Sequence, residues 1–239
     1  MLKNNLLNGG DRTLFERVCV FGDSIAKGVV YDQEKKKYIF LGESFVNLLS
    51  SEKQIEILNF SKFGCTVDKG LQAVGKNIER IEGCDLVALE FGGNDCDFDW
   101  EQVAADPEAE HLPKTPIRKF VDLYKSLIET VRQAGKKIVV LNLPPLDENK
   151  YFKWISRGRS AENILKWLGG ATRFIYHWQE SYSVAVSGIA NALQVPLLDI
   201  RSIFLRNRRY TDFLCEDGIH PNLAGHRLIA DAIHAVPIN

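Results

Sequence analysis

The sequence lacks an excess of charge of either sign. Its 239 residues include 30 Lys and Arg against 31 Asp and Glu, which gives a formal net charge of -1, and its pI is about 6.5. Proteins that bind nucleic acids usually neutralise phosphates with a basic surface, and this composition has no basic surplus to supply one. Nucleic acid is therefore not an expected partner.

Long apolar runs are also missing. No stretch approaches the roughly 20 apolar residues that a membrane-spanning helix requires, and residues 1–12 contain no continuous apolar segment of signal-peptide length. We therefore expect no membrane partner and a cytoplasmic location. Hydrophobic residues make up 45% of the chain and charged residues 26%, which is the balance of a globular protein.

Cysteine is sparse and has no metal-binding spacing. The five cysteines are Cys19, Cys65, Cys84, Cys96 and Cys215. An odd number without a C-x-x-C pair predicts reduced thiols in a reducing compartment. Histidine and the carboxylates show no convincing metal-ligand spacing either, so we expect no metal and no cofactor.

The sequence does contain an alternation of short apolar runs with amphipathic helices. Five runs rich in Val, Ile and Leu predict parallel strands buried on both faces, at 17–21, 55–60, 86–91, 137–143 and 195–200. The clearest helical patterns cover 117–134, 174–193 and 223–235. This alternation predicts an α/β fold, an open parallel sheet with helices on both faces.

Three segments depart from that alternation. Residues 31–40 predict a solvated loop or hairpin, and the acidic residues 97–115 predict a long surface loop. Residues 145–170 carry Trp154 and Trp167, which either form a wall over a binding site or pack the segment onto the body; the second is more typical of aromatic residues. We expect one domain over 1–239, with surface inserts near 97–115 and 145–170.

Polar, glycine-rich turns follow the first three predicted strands. The first is G-D-S, which ends at Ser24; the second contains Gly64; the third, G-G-N-D, contains Asn94. Because the carboxyl ends of parallel strands meet at one edge of the sheet, these turns are expected to open together. A serine on a sharp strand-to-helix turn is exposed as a nucleophile beside free backbone N–H groups. Taken alone, however, G-D-S is more typical of a helix-capping turn.

A general base and oxyanion donors are the other needs of a serine nucleophile. His220 lies three residues after Asp217 in D-G-I-H-P, so one turn can bring the carboxylate to the imidazole and fix its tautomer. That pattern is equally typical of a helix start. Candidate oxyanion donors are the backbone N–H groups of Ser24 and Gly64 and the side-chain amide of Asn94. Gly64 also suits a plain turn, and Asn94 an Asx-turn.

Together these motifs resemble those of the SGNH, or GDSL-type, hydrolase superfamily, with Ile25 where the family name has leucine. The resemblance runs from about the first strand to the last helix, and its glycine match is softer than the others. It assigns the family's serine, glycine, asparagine and histidine, and the acid of the triad, to Ser24, Gly64, Asn94, His220 and Asp217, respectively.

The resemblance implies a flavodoxin-like three-layer α/β/α sandwich with a five-stranded parallel sheet. It also implies serine ester hydrolysis without a metal, through an acyl-enzyme on Ser24 with His220 as base. The family includes lipases, lysophospholipases, thioesterases and acyltransferases, so the acyl chain, the alcohol and the oligomeric state stay open. The expected partner is a small-molecule or carbohydrate ester, with an acetylated carbohydrate as one candidate. Acyl transfer, thioester or lysophospholipid hydrolysis, and a non-catalytic binding module are the alternatives.

Overall fold

The computed structural model describes residues 15–235, so the prediction about the first twelve residues lies outside the described part. Five strands form a parallel sheet in the order β4-β1-β5-β6-β7. These strands are β1 (Arg17–Gly22), β4 (Glu56–Asn59), β5 (Leu86–Glu90), β6 (Lys137–Leu141) and β7 (Leu197–Leu198). In chain order among the sheet strands this is 2-1-3-4-5, the flavodoxin-like order. The predicted α/β fold is confirmed.

Helices enclose the sheet on both faces. Along β1, Cys19 and Phe21 face one layer, whereas Val18 and Val20 face the other. The first layer contains α3 (Val67–Lys76), α4 (Ile78–Glu82), α6 (Ile117–Gln133) and α9 (Arg173–Ala192). The second contains α1 (Ser24–Lys27), α2 (Phe45–Lys53), α10 (Ile200–Leu205) and α11 (Leu223–His234). The alternation follows from the two-residue period of a strand, which buries apolar side chains on both faces.

The segments outside the alternation fold as follows. Residues 31–40 lie mostly in an antiparallel hairpin of β2 (Val29–Asp32) and β3 (Lys37–Phe40), which confirms the hairpin prediction. The remaining helices are α5 (Trp100–Ala105), α7 (Glu148–Ile155), α8 (Ala161–Trp167) and a short 3-10 helix (Tyr210–Phe213). Helices α5, α7 and α8 and the start of α9 share a third apolar cluster. None of the described helices has the length and apolar character needed to cross a bilayer.

The prediction of an irregular surface loop over 97–115 is wrong at its start. Helix α5 forms there because Asp99 caps it, accepting hydrogen bonds from the backbone N–H groups of Glu101 and Gln102 at 3.1 and 3.2 Å. Trp100 and Val103 then bury their side chains in the third cluster. A helix of six residues is too short for hydrophobic periodicity to reveal it.

The prediction that all five cysteines are reduced is also corrected. Cys19 and Cys84 form a disulfide, with their Cα atoms 6.2 Å apart. Strand pairing causes this proximity, because β1 and β5 are neighbours and Cys19 lies opposite Val87. The two residues are 65 positions apart in the sequence, so their spacing gave no signal. The free cysteines among the described residues are Cys65, Cys96 and Cys215, all buried.

Candidate active site

Ser24 lies at a sharp turn between β1 and α1. The strand ends at Gly22, the helix begins at Ser24, and the Asp23 side chain caps the helix by accepting from the Ile25 backbone N–H at 2.9 Å. Residues in the first turn of a helix have backbone N–H groups without a partner inside the helix. The turn therefore places the Ser24 hydroxyl and a free backbone donor side by side at the carboxyl edge of the sheet.

His220 and Asp217 meet Ser24 from the opposite end of the chain. His220 Nε2 lies 2.8 Å from Ser24 Oγ, and His220 Nδ1 lies 2.6 Å from Asp217 Oδ2. The other oxygen of Asp217 accepts from the backbone N–H groups of Ile219 and His220, at 3.0 and 3.1 Å. This arrangement assigns the ring proton to Nδ1 and leaves Nε2 as the acceptor that faces the serine hydroxyl.

Electrostatics keep Asp217 ionised. Its side chain is fully buried, and burial alone would raise its pKa. The hydrogen bond and charge of His220, with the two backbone N–H groups, outweigh burial and lower the pKa of Asp217 below its ordinary value. A buried carboxylate of this kind stabilises an imidazolium on the neighbouring histidine.

Gly64 and Asn94 complete the set predicted from the sequence. Gly64 follows β4 with a φ of +69°, and a Cβ there would meet no atom within 4 Å, so glycine is required for its backbone conformation and not for space. Asn94 follows β5, and its amide donates to Asp23 Oδ2 at 3.0 Å. Both residues line the same pocket as Ser24 and His220. The structure therefore brings all five predicted site residues to one place.

Hydrogen bonds hold these turns together. The Asn59 amide donates to the carbonyl of Ala26 at 2.8 Å, and the Lys62 backbone N–H donates to the carbonyl of Gly22 at 3.1 Å. Asp95 accepts from the Val67 backbone N–H, which is 3.1 Å from each carboxylate oxygen. Burial raises the pKa of Asp95 to about 6. The turns after β1, β4 and β5 thus form one connected frame.

The pocket in front of Ser24 has a volume of about 640 Å³ and is walled by aromatic and aliphatic side chains. Its lining includes the apolar or aromatic side chains Phe98, Trp100, Leu143, Pro144, Leu146, Tyr151, Ile155, Ile175 and Trp178 and the charged side chains Asp97, Asp99, Glu101, Lys114 and Arg159. Asp97 accepts from Trp100 Nε1 at 2.8 Å and from the Tyr151 hydroxyl at 2.6 Å, and it pairs with Lys114 at 2.8 Å. The surface of the pocket is mainly apolar.

Two aromatic residues that sequence reasoning missed contact the histidine. The ring of Tyr38, on β3, lies 5.2 Å from that of His220, and the ring of Phe63 stacks on it at 6.1 Å. Burial, followed by the nearby charge of Asp217, raises the pKa of Tyr38. Phe63 is 54% exposed despite its size. No residue pattern around either of them predicts a role in the site. Tyr38 only follows a run of charged residues, and Phe63 only precedes Gly64.

The two tryptophans of the second predicted insert have different surroundings. Trp154 lines the pocket, lies 4.5 Å from the ring of Tyr31 and has the guanidinium of Arg157 4.0 Å above it. Trp167 packs against Phe98 at 4.8 Å and is not among the residues that line the pocket. Both tryptophans pack against the third apolar cluster, and Trp154 is in addition a wall of the site.

Comparison with known proteins places the chain in a family. The sequence model of the GDSL-like lipase/acylhydrolase family matches residues 20–228. The chain belongs to this family. The chain is accordingly a hydrolase of ester bonds, and the resemblance seen in its motifs is confirmed. Among curated proteins, a search finds no match.

Solved structures share the fold of this GDSL-type hydrolase at low identity. A lipase/acylhydrolase from Enterococcus faecalis has 18% identity and a TM-score of 0.63, with 91% of this chain and 93% of that chain covered. An alpha/beta hydrolase from the metagenome of Lake Arreo, Spain, has 22% identity and a TM-score of 0.62, with 92% and 94% covered. A catalytic mutant of an acetylxylan esterase from Geobacillus stearothermophilus has 18% identity and a TM-score of 0.61, with 91% and 92% covered. At these identities the likeness shows the fold alone.

Proposed function

We propose that this hydrolase cleaves its ester through an acyl-enzyme intermediate on Ser24. The observation that carries the proposal is the 2.8 Å contact of Ser24 Oγ with His220 Nε2, continued by the 2.6 Å contact of His220 Nδ1 with Asp217. A serine hydroxyl becomes a strong nucleophile when a base within hydrogen-bonding distance takes its proton, and a third group that orients the base completes the arrangement.

In the first step, Ser24 Oγ forms a bond to the acyl carbon while its proton moves to His220 Nε2. The bond between the acyl carbon and the alcohol oxygen then breaks, and His220 returns the proton to that oxygen. In the deacylation step a water molecule gives one proton to His220 Nε2 while its oxygen forms a bond to the acyl carbon. The bond between the acyl carbon and Ser24 Oγ then breaks, and His220 returns the proton to Ser24 Oγ. Asp217, buried and ionised, stabilises the imidazolium in both steps.

Negative charge develops on the carbonyl oxygen in each tetrahedral intermediate. The proposed donors are the backbone N–H groups of Ser24 and Gly64 and the side-chain amide of Asn94, all of which border the pocket. Asn94 has two N–H groups, and one of them is held by Asp23. The other can therefore be aimed at the oxyanion without freeing the side chain.

The lining of the pocket supports an apolar acyl group larger than acetyl. The carboxylate of Asp97 is engaged by three partners, and Gln179 donates to the Pro144 carbonyl and accepts from Arg201. A sugar would have to compete with the existing partners of Asp97 and Gln179, whereas a hydrocarbon chain would gain contact with the apolar walls.

An acetylated carbohydrate is the second candidate. Its support is the fold shared with the acetylxylan esterase and the aromatic side chain of Trp154 at the pocket, which suits the face of a sugar ring. In that case the acetyl group reaches Ser24 and the sugar lies against Trp154. The alternatives of acyl transfer to an alcohol and of thioester or lysophospholipid hydrolysis use the same nucleophile and differ only in the acceptor or the leaving group.

A panel of p-nitrophenyl esters from acetyl to palmitoyl, with acetylated sugars alongside, separates the candidates. Highest kcat/KM on acyl groups longer than acetyl supports the apolar pocket, and a sharp preference for acetyl esters supports the carbohydrate. Added alcohols that divert the product would indicate transfer. Ser24→Ala must abolish turnover and labelling by a fluorophosphonate probe. Labelling of the variant at the wild-type rate would refute the proposed nucleophile, and a wild type that takes no label would support a binding module instead.

The domain and location predictions stay proposals. We propose that 1–239 forms one hydrolase domain, with its inserts near 97–115 and 145–170 contributing to the lining of the pocket, and limited proteolysis tests this by whether one fragment persists. A cytoplasmic location remains the prediction from the sequence. The buried free thiols Cys65, Cys96 and Cys215 agree with it, whereas the Cys19–Cys84 disulfide is typical of oxidising compartments. Cell fractionation with thiol trapping decides between them.

A further inference from the structure

Glu90 is a buried acid beside the candidate active site to which the proposed mechanism gives no role. It ends strand β5 and is 1% exposed. Its Oε2 accepts from the backbone N–H of Asp23 at 3.3 Å. Within residues 15–235, Oε1 has no hydrogen-bond donor. Glu90 therefore contacts the turn that carries Ser24 through Oε2, whereas its Oε1 has no donor among the described residues.

The turn is built around this acid. A Cβ at Gly22 would lie 2.8 Å from the Cβ of Ala26, 2.9 Å from the Glu90 carbonyl oxygen and 3.0 Å from Glu90 Oε2. Glycine at the first position of G-D-S is thus required by the close approach of Glu90 and α1.

Glu90 and Asp23 are neighbouring buried acids. Their carboxyl groups hydrogen-bond to each other, and Asp23 is 1% exposed. Two buried carboxyl groups in contact do not both ionise, since like charges repel and burial disfavours each charge. Burial raises the pKa of both groups, and the charge of Asp23 raises that of Glu90 well above its ordinary value. The proton therefore resides on Glu90, and the oxygen without a donor is the one able to carry it.

Asp23 connects Glu90 to the groups that are proposed to bind the oxyanion. Its Oδ1 accepts from the Ile25 backbone N–H at 2.9 Å, and its Oδ2 accepts from the Asn94 side-chain amide at 3.0 Å. Asp23 thus fixes both the helix start that carries the Ser24 N–H and the orientation of the Asn94 amide. Rotation of the Asp23 carboxylate would move both donors.

We propose that Glu90 is a positioning residue of the reaction: as a neutral carboxylic acid it donates to Asp23, and Asp23 in turn aims the Asn94 amide and the Ser24 N–H at the oxyanion. This inference rests on the proposed function, in which Asn94 and Ser24 supply the oxyanion donors. Glu90 itself reaches neither the substrate nor the reacting atoms.

Two substitutions separate a proton donor from a space-filling group. In Glu90→Gln the amide donates to Asp23 while the amide oxygen still accepts from the backbone, so kcat stays within about threefold of wild type. In Glu90→Leu the donor is lost at similar volume. Loss of one oxyanion donor costs 10²- to 10³-fold in kcat, and misaiming costs less, so we expect a loss of about 10- to 100-fold with little change in KM.

A double-mutant cycle tests whether Glu90 acts through Asn94. In an Asn94→Ala background, Glu90→Leu should lower kcat by less than in the wild type, because the Asn94 amide is gone and only the aim of the Ser24 N–H can still be disturbed. Equal losses in both backgrounds would overturn the proposal, as would wild-type kcat in Glu90→Leu. Circular dichroism and thermal melting establish that the variants compared are folded.

Infrared spectroscopy reads the proton directly and does not depend on a folded leucine variant. At pH 8, above the pKa of about 6 for Asp95, the wild type should show the carbonyl stretch of an un-ionised carboxylic acid that is absent from Glu90→Gln. A missing band would overturn the proposal. A wild type inactive on every ester would refute the proposed function instead, while the band would still report on Glu90.

Discussion

Replacement of Asp217 by asparagine alters one atom of the candidate triad and reverses one hydrogen bond. Asp217 Oδ1 accepts two backbone N–H groups, and an asparagine carbonyl keeps both of these bonds. The new NH2 group then replaces Oδ2, which lies 2.6 Å from His220 Nδ1. Nδ1 must become an acceptor, so the ring proton moves to Nε2, where it points at Ser24 Oγ. A protonated Nε2 does not accept the proton of Ser24.

We expect kcat of Asp217→Asn to fall about 10⁴-fold, the cost of the same tautomer reversal in a serine protease triad. This corresponds to about 5 kcal/mol of lost transition-state stabilisation. KM should change little, because Asp217 does not border the pocket. The assay is the initial rate on p-nitrophenyl acetate and butyrate, with the exposed Asp212→Asn as matched control. Retention of more than about a tenth of wild-type kcat would refute the tautomer argument.

The same variant has a pH signature in stability. The pKa of Asp217 is lowered in the folded state, so its ionised form contributes stability that is fully present above its unfolded pKa of about 3.9 and is lost as the pH falls through the folded value. The advantage of the wild type over Asp217→Asn in melting temperature should therefore shrink in acid. An advantage that grows in acid would show that the carboxyl group is neutral in the native state.

Three further predictions use other parts of the site. Gly64→Ala, at a φ of +69°, should lower the melting temperature and reduce kcat about 100-fold by turning its N–H away from the oxyanion; an unchanged kcat would remove Gly64 from the site. Burial lowers the pKa of His226 to about 4. The stability that the neutral histidine contributes is therefore lost as the pH falls from the pKa of 6.5 in the unfolded state towards 4. Denaturant titrations at pH 7 and 4.5 should show that His226→Asn loses less stability between these pH values than the wild type does. Trp154→Ala and Trp167→Ala should both lower the melting temperature, because both side chains pack against the third apolar cluster, but only Trp154→Ala should also raise KM; equal KM values for the two variants would remove Trp154 from the substrate site.

Local patterning determined much of the fold. Buried parallel strands have no polar face, so the apolar runs at 17–21 and 86–91 were recognisable as strands and became β1 (Arg17–Gly22) and β5 (Leu86–Glu90). The helix predicted over 117–134 corresponds to α6 (Ile117–Gln133), and it was recognisable because its apolar positions recur at the helical period. The edge strand β7 was harder to predict, because only Leu197–Leu198 of the predicted run 195–200 pairs with β6.

The candidate site was predictable because its chemistry resides in local motifs. G-D-S, G-G-N-D and D-x-x-H each carry their residues within a few positions, and parallel strands bring such turns to one edge. Glu90 had a usable signal that was not used, since it is the one charged residue in an otherwise apolar strand. A charge in that place predicts either a strand end or a buried polar network.

By itself, the sequence determined which residues could be nucleophile, base and oxyanion donors, because spacing along the chain fixes what a turn or helix start can present. Only the tertiary structure decided that Ser24 and His220, 196 residues apart, lie 2.8 Å from each other. It also decided that Tyr38 and Phe63 face the histidine, that Cys19 meets Cys84, and that Glu90 lies against Asp23. These contacts depend on strand order and on how separate layers pack, and no local pattern encodes a distance between segments that are remote in sequence.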